Sequence, residues 1–299
     1  MATTTSITTT YAGESAGKYI SAALLAGNTI ANGGLTIRPN VKFKEVVKRL
    51  ELDGIVKDGT CDFADTSTLT LTERILQPKE LQVNLELCKK DFRSDWDAIQ
   101  MGYSAFDNLP SSFQEYLIGY VASKVAQKTE QNIWAGAAAE GSFDGFATLL
   151  AADAAKIEVT GTTVTSANVI EELGKVVDAI PSALYGREDL HIYVAQNVFR
   201  AYKRSLGGFA SGGQGAAGYM AQGNNQDVNV LFFDGVKIFM ANGLASDKMV
   251  ATTKDNLWFG TGLLSDAQEV RVLDMADLDG SQNVRVIMRF TAGVQYGVA

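Results

Sequence analysis

The sequence predicts an α+β protein raised on one long amphipathic helix. Three observations carry that expectation. Residues 113–125 repeat apolar side chains at helical spacing, stretches before them alternate polar and apolar, and strand and helix patterns alternate after them.

The helix lies in the stretch 109–150. Pro110 opens it, and Ser112 with Glu115 has the spacing of a capping box, each side chain satisfying a backbone donor at the helix start. Phe113, Leu117, Tyr120, Val121 and Val125 form one stripe, with Gln114, Lys124 and Lys128 elsewhere on the wheel. Running to Trp134, the helix spans about 33 Å at 1.5 Å per residue. Gly136 ends it, and Phe143-Asp144-Gly145-Phe146 returns the chain to an apolar segment. This is a spine for sheets to pack on, not an active site.

Ahead of the helix, residues 1–35 are rich in Thr, Ser, Ala and Gly, with a short apolar patch from Ile20 to Leu25. Such a segment is an arm, disordered in isolation or ordered against a neighbour. From 36 to 91 the pattern is of strands: Val41–Lys44, Leu69–Thr72 and Leu81–Leu87 alternate. Asp53-Gly54 and Asp58-Gly59 are turn dipeptides between them. The expectation is a long, projecting, two-stranded hairpin, which is marginal unless it lies on something. Its base carries Arg38, Lys42, Lys44, Lys48 and Arg49 against Glu45. Such a cluster serves equally as a solvated edge that resists aggregation or as a docking patch.

Beyond the helix come Ile157-Glu158-Val159 and a Thr-rich turn. A helix then runs from Ser166 to Ile180, stopped by Pro181. A strand His191–Ala195 and a helix Gln196–Leu206 complete a compact α+β subdomain. Residues 207–227 form a long glycine-rich loop containing Gly207, Gly208, Gly213, Gly215 and Gly218, a length that points to a functional or interface role. Val228–Phe233, Asp234-Gly235 and Val236–Met240 read as a hairpin. Strands follow at Leu257–Phe259, Val270–Leu273, Val284–Phe290 and Val294–Tyr296.

Composition narrows the function. The 299 residues are 46% apolar and 20% charged, with a net charge of −8. That balance argues against gripping nucleic acid with the bulk surface, which takes clustered Lys and Arg. Cys61 and Cys88 make no disulfide framework and are expected to be free thiols in a reducing cytosol. No basic residue precedes Lys18 and no apolar core follows, unlike a signal peptide. No apolar run is long enough to span a membrane.

Two motif matches fail on context. Gly213, Gly215 and Gly218 spell GxGxxG, but no strand precedes them and no helix pattern follows. Gly13-Glu14-Ser15-Ala16-Gly17 spells the nucleophile elbow, yet only the polar arm precedes Ser15, and the sole histidine, His191, opens an apolar strand. Asp266, Glu269, Asp274, Asp277 and Asp279 lack calcium-loop spacing and read as a solvated acidic face. One histidine and two distant cysteines leave zinc without ligands. No enzyme, cofactor or metal site is expected.

Residues 76–92 (LQPKELQVNLELCKKDF), 128–146 (KTEQNIWAGAAAEGSFDGF) and 284–290 (VRVIMRF) carry a resemblance to the Hong Kong 97 type major capsid proteins of tailed phages. The resemblance is one of pattern over nearly the whole chain. It implies an N-arm at 1–35, an extended E-loop hairpin with its base at 36–91, and a peripheral (P) domain on the spine helix at 92–150. It implies an axial (A) domain at 151–250, its 207–227 loop toward the capsomer axis, and carboxy-terminal strands at 251–299 returning to the P domain. The implied function is self-assembly into hexamers and pentamers of an icosahedral head, a virion capsid assembled in the host bacterial cytoplasm. The resemblance implies a shell that encloses double-stranded DNA without sequence-specific binding, with portal, scaffolding and decoration proteins as further partners and no membrane. Inter-subunit contacts would then draw on Arg38, Lys42, Lys44, Lys48, Arg49 and Lys57, on the acidic positions of 266–279, and on the glycine-rich loop. With the spine arriving by residue 110, the long amino-terminal scaffolding segment of some members is not expected, and either a separate scaffolding protein exists or none is needed. Lys57 sits in the E-loop without an evident Asn partner, so no cross-link is expected. The runner-up is an encapsulin-like shell holding enzyme cargo. A reading from another class is a hydrolase using Ser15 and His191.

Overall fold

The structure, a computed structural model, describes residues 28–51, 54, 56–59, 61, 69–89, 111–206, 231–262 and 270–298. The chain divides into two compact units, one within Glu80–Thr129 and Leu263–Thr291, the other within Gly27–Lys79, Glu130–Gly262 and Ala292–Ala299. The long helix and the last strand run through both.

The first unit holds most of β4 (Lys79–Cys88), most of α2 (Ser111–Ala135), β10 (Arg271–Asp274), α6 (Ala276–Asp279) and most of β11 (Asn283–Tyr296). Leu117 and Val121 of the expected helix stripe are buried against Val284 and Val286, with Val125, Val83, Leu87, Val270 and Val272 packed around them. β10 runs antiparallel to β11, from Arg271 opposite Ile287 to Asp274 opposite Val284. β4 also pairs with β11. Lys89, 5% exposed, forms an ion pair with Asp274, and its N–H donates to the Gln282 carbonyl at 2.9 Å.

The second unit contains two sheets and a ribbon. One sheet has the order β6 (Leu231–Phe233), β7 (Val236–Met240), β5 (Leu190–Val194), β8 (Met249–Thr253). β5 is parallel to β7 and antiparallel to β8, and all five of its residues are buried. Its near-continuous apolar run is that of a central strand. At the β6–β7 turn Asp234 and Gly235 both take positive φ, 47° and 78°, as a two-residue primed turn requires. α4 (Val169–Asp178) and α5 (Gln196–Ser205) pack against each other, and α4 against β8. In the other sheet β1 (Thr36–Arg38) lies parallel to β9 (Leu257–Gly260), which pairs antiparallel with the end of β11. A 3-10 turn, Lys254–Asn256, links β8 to β9. β2 (Glu45–Glu51) and β3 (Thr70–Leu76) form the ribbon, paired over seven residues. α1 (Asn28–Ala31) and α3 (Phe146–Ala152) complete the unit. α2 ends at Ala135, and Phe143 and Phe146 bury behind it.

Several expectations shift. Val41–Lys44 is a bend instead of a strand. Asn40 turns the chain with φ 63°, Val41 is buried in the core, and Phe43 stays 70% exposed, so the alternation comes from one anchored residue in a turn. The helix is already formed at Ser111, which places Ser112 inside the first turn and not at its cap. Val284–Phe290 and Val294–Tyr296 belong to one 14-residue strand. β8 is not foreseen by the sequence, because MVATT lacks a clear period-two pattern. The helix expected from Ser166 begins at Val169, where Thr165 and Asn168 bond locally through the Asn168 Oδ1 at 2.7 Å. The arm to residue 27 and the glycine-rich loop at 207–227 lie outside the described residues.

Candidate assembly surface

The β2–β3 ribbon has two unlike faces. Val46 stands opposite Ile75 and Lys48 opposite Glu73, with Leu71 further along the same face. Val46, Ile75 and Leu71 are 46%, 41% and 59% exposed. The other face carries Val47 opposite Arg74, then Leu76 opposite Glu45. Leu76 is fully buried with Val41 and Trp258, and Val47 packs on that cluster. One face therefore seats the ribbon, and the opposite one presents apolar side chains to solvent, an arrangement that marks interaction surfaces.

A polar clamp holds the seated face. Arg74 Nη2 bonds Asp153 Oδ2 at 2.5 Å, and its guanidinium lies 4.4 Å from the centre of the Tyr296 ring. The Tyr296 hydroxyl donates to Asp153 Oδ2 at 2.8 Å. The Arg74 hydrogen bond, helped by the Ala155 N–H and the Tyr296 hydroxyl, holds the Asp153 carboxyl well below the usual carboxylate range. Gln295 Nε2 donates to the Ile75 carbonyl at 3.0 Å, and Lys79 Nζ reaches the carbonyls of Ala139 and Ser142. Arg suits this site because a planar guanidinium stacks on a ring while one of its N–H groups bonds a carboxylate. Nothing in the sequence marks these residues as partners of one another. Asp153 and Tyr296 lie 143 positions apart, and no spacing signals their meeting.

The candidates named from sequence are placed unevenly. Arg38 pairs with Glu45 at 3.9 Å and sits over Trp258. Lys42, Lys44, Lys48 and Lys57 are exposed, with Lys44 over the Phe43 ring at 5.3 Å. Arg49 is half-buried. Asp274 already engages Lys89 of its own chain, and Asp279 accepts the Ser281 N–H at 2.9 Å. Asp266, Glu269, the Asp277 side chain, and Gly207, Gly208, Gly213, Gly215 and Gly218 lie outside the described residues, as does Ser15. His191 is built into the sheet core: its Nδ1 meets the Asp189 carbonyl at 2.8 Å, and Tyr193 and Phe239 flank the ring. Burial lowers its pKa. An open cleft of about 460 Å³ lies at the β6–β7 turn, with Tyr185, Phe232 and Lys237 among its lining residues. Among the described residues no helix is long and apolar enough to cross a membrane.

A spine helix, a seated ribbon, an α+β subdomain and a returning carboxy-terminal strand together define the Hong Kong 97 type capsid fold. Solved structures share it over nearly the full chain. The capsid of a native GTA particle superposes with a TM-score of 0.62 at 12% identity, covering 93% of this chain and 89% of that one. The structure from Mycobacterium phage Ogopogo gives 0.57 at 12% identity, covering 94% and 91%. The capsid of cyanophage P-SCSP1u gives 0.53 at 13% identity, covering 97% and 89%. No protein-family model matches the chain, and no curated protein matches it by sequence.

Proposed function

We propose that this chain is a major capsid protein, the repeated subunit of a closed icosahedral head built from hexamers and pentamers around double-stranded DNA. The observation that carries the reading is the shared fold, spanning more than nine-tenths of this chain in capsids from a GTA particle, a mycobacteriophage and a cyanophage. The ribbon supports it: an exposed apolar face on a two-stranded extension gains most when a neighbouring copy covers it. Heterologous contacts of that kind, repeated around an axis, close into rings. Lys42 and Lys44 steer docking toward an acidic surface of the neighbour, setting rate and register more than affinity. The subunit acts without catalysis. The net charge of −8 suits a wall that does not adsorb the genome. Portal, scaffolding and decoration proteins are the further partners of such a shell.

Expression of the full chain alone, followed by size-exclusion chromatography and negative-stain electron microscopy, tests this. Closed shells or rings of five and six are expected. A monomer at every salt and protein concentration, persisting when co-expressed with the neighbouring genes of its genome, would overturn it.

A further inference from the structure

The stretch expected as the arm, 1–35, is tied into its own chain from residue 28 onward: Thr29 is fully buried, and the carboxylate that meets it, Glu130 of α2, is 1% exposed. The Thr29 hydroxyl donates to Glu130 Oε1 and its N–H donates to Oε2 at 3.1 Å. Trp134 Nε1–H in turn donates to the Thr29 hydroxyl at 2.8 Å, and the Gly243 backbone lies against Glu130. A Cβ on Gly243 would stand 2.0 Å from the Glu130 carbonyl oxygen, so only glycine allows that approach. Among the described residues no cation pairs with Glu130, and burial raises its pKa.

The same short segment is tied down on both sides of Thr29. Asn28 Nδ2 donates to the Met240 carbonyl at the end of β7, and the Asn242 N–H donates to Asn28 Oδ1 at 3.3 Å. The Tyr193 hydroxyl of β5 donates to the Gly34 carbonyl. Gly34 lies against the Phe239 ring, where an added Cβ would come within 2.6 Å of the ring.

A buried carboxylate without a cation pays a desolvation penalty that Leu or Met at the same helix position avoids. What it provides instead is direction. Its two oxygens accept the N–H and the O–H of one residue together, which admits a single backbone path through position 29. We infer that Glu130 is a positioning residue which, through Thr29, sets where the amino-terminal arm leaves the second unit, beside the ends of β5 and β7. Its consequence for assembly rests on the capsid reading; the local anchoring does not.

Two near-isosteric changes separate polar positioning from packing. Thr29→Val keeps the shape and removes the hydroxyl; Thr29→Ser removes the methyl and keeps it. In the unassembled full chain, amide hydrogen exchange over residues 29–34 is expected to quicken about ten-fold or more in Thr29→Val and in Glu130→Leu, as for loss of a hydrogen bond to a charged group. Thr29→Ser should behave like wild type, and exchange over 190–194 should stay unchanged in all three. Thr29→Val shells should be fewer or mixed in diameter. Wild-type exchange in Thr29→Val with quickened exchange in Thr29→Ser would make the site a packing contact and overturn the inference, as would equal quickening across β5. If the wild-type chain forms no shells, the capsid reading fails, and the exchange comparison still decides the role of Glu130.

Discussion

Arg74 and Asp153, 79 positions apart, meet at 2.5 Å, with the Tyr296 ring against the guanidinium and its hydroxyl on the carboxylate, and that contact fastens the ribbon at its base. The ribbon's own ladder holds β2 to β3 but says nothing about where the pair points. Leu76 supplies burial without direction, since apolar contact is not directional. The ion pair and the ring against the guanidinium supply the angle.

Arg74→Ala should therefore loosen the ribbon without unfolding the unit. Hydrogen exchange is expected to quicken over residues 70–76 and to stay unchanged over 190–194. Arg74→Lys should rescue only part of the effect, because an ammonium reaches Asp153 but does not stack as a plane. Full rescue by Lys would mean that charge alone holds the clamp.

The clamp also sets a pH response. The Arg74 hydrogen bond lowers the Asp153 pKa from its ordinary 3.8, so the folded state binds the proton less readily than the unfolded chain. Stability from this group is present above 3.8 and is lost as pH falls below it. Thermal melts between pH 2.5 and 6 should show a steeper acid loss in wild type than in Asp153→Asn. Parallel curves would remove Asp153 from the acid response.

His191 gives a second window. Burial lowers its pKa from 6.5, so the unfolded chain binds the proton first and stability falls as pH drops below 6.5. Lys237, opposite His191 in β7, and Lys254 push the same way, while the Asp189 carbonyl and carboxylate oppose them. The loss is at most about 1.4 kcal/mol per pH unit for one proton. His191→Phe, which keeps a ring in the aromatic cluster, should flatten the profile between pH 5 and 6.5. An unchanged slope would place the titration elsewhere.

Much of the fold was legible because local patterns and tertiary contacts agree. The stripe of Leu117, Val121 and Val125 faces a sheet, and Asp234-Gly235 has the backbone its dipeptide foretells. The basic hairpin base was visible as a cluster, but not that Arg38 is already paired within the chain. What stayed hidden depends on meetings far along the chain. Glu130 and Asn132 sit on a helix where an exposed polar face is the ordinary reading, yet they are 1% and 2% exposed because Thr29, Ser142 and Gly141 come round to bond them. Lys89 looks like a surface charge until Asp274 is brought beside it. Periodicity reports which face is apolar; it does not report a polar partner that satisfies a buried polar group.

The ribbon's two faces make the sharpest test of assembly. Leu76→Ala removes a fully buried side chain from the seated face and should cost about 2–5 kcal/mol, read as a lower melting temperature. Leu71→Asp changes a 59% exposed residue on the opposite face and should leave monomer stability within about 0.5 kcal/mol. On a free ribbon that substitution is harmless; in a shell it buries an unpaired carboxylate against a neighbour, which is strongly unfavourable. Leu71→Asp is therefore expected to fold normally and form no closed shells, whereas Leu71→Met should assemble. Shells of normal size and yield from Leu71→Asp would mean the exposed face points to solvent in the particle, leaving the basic base and the arm to carry the contact.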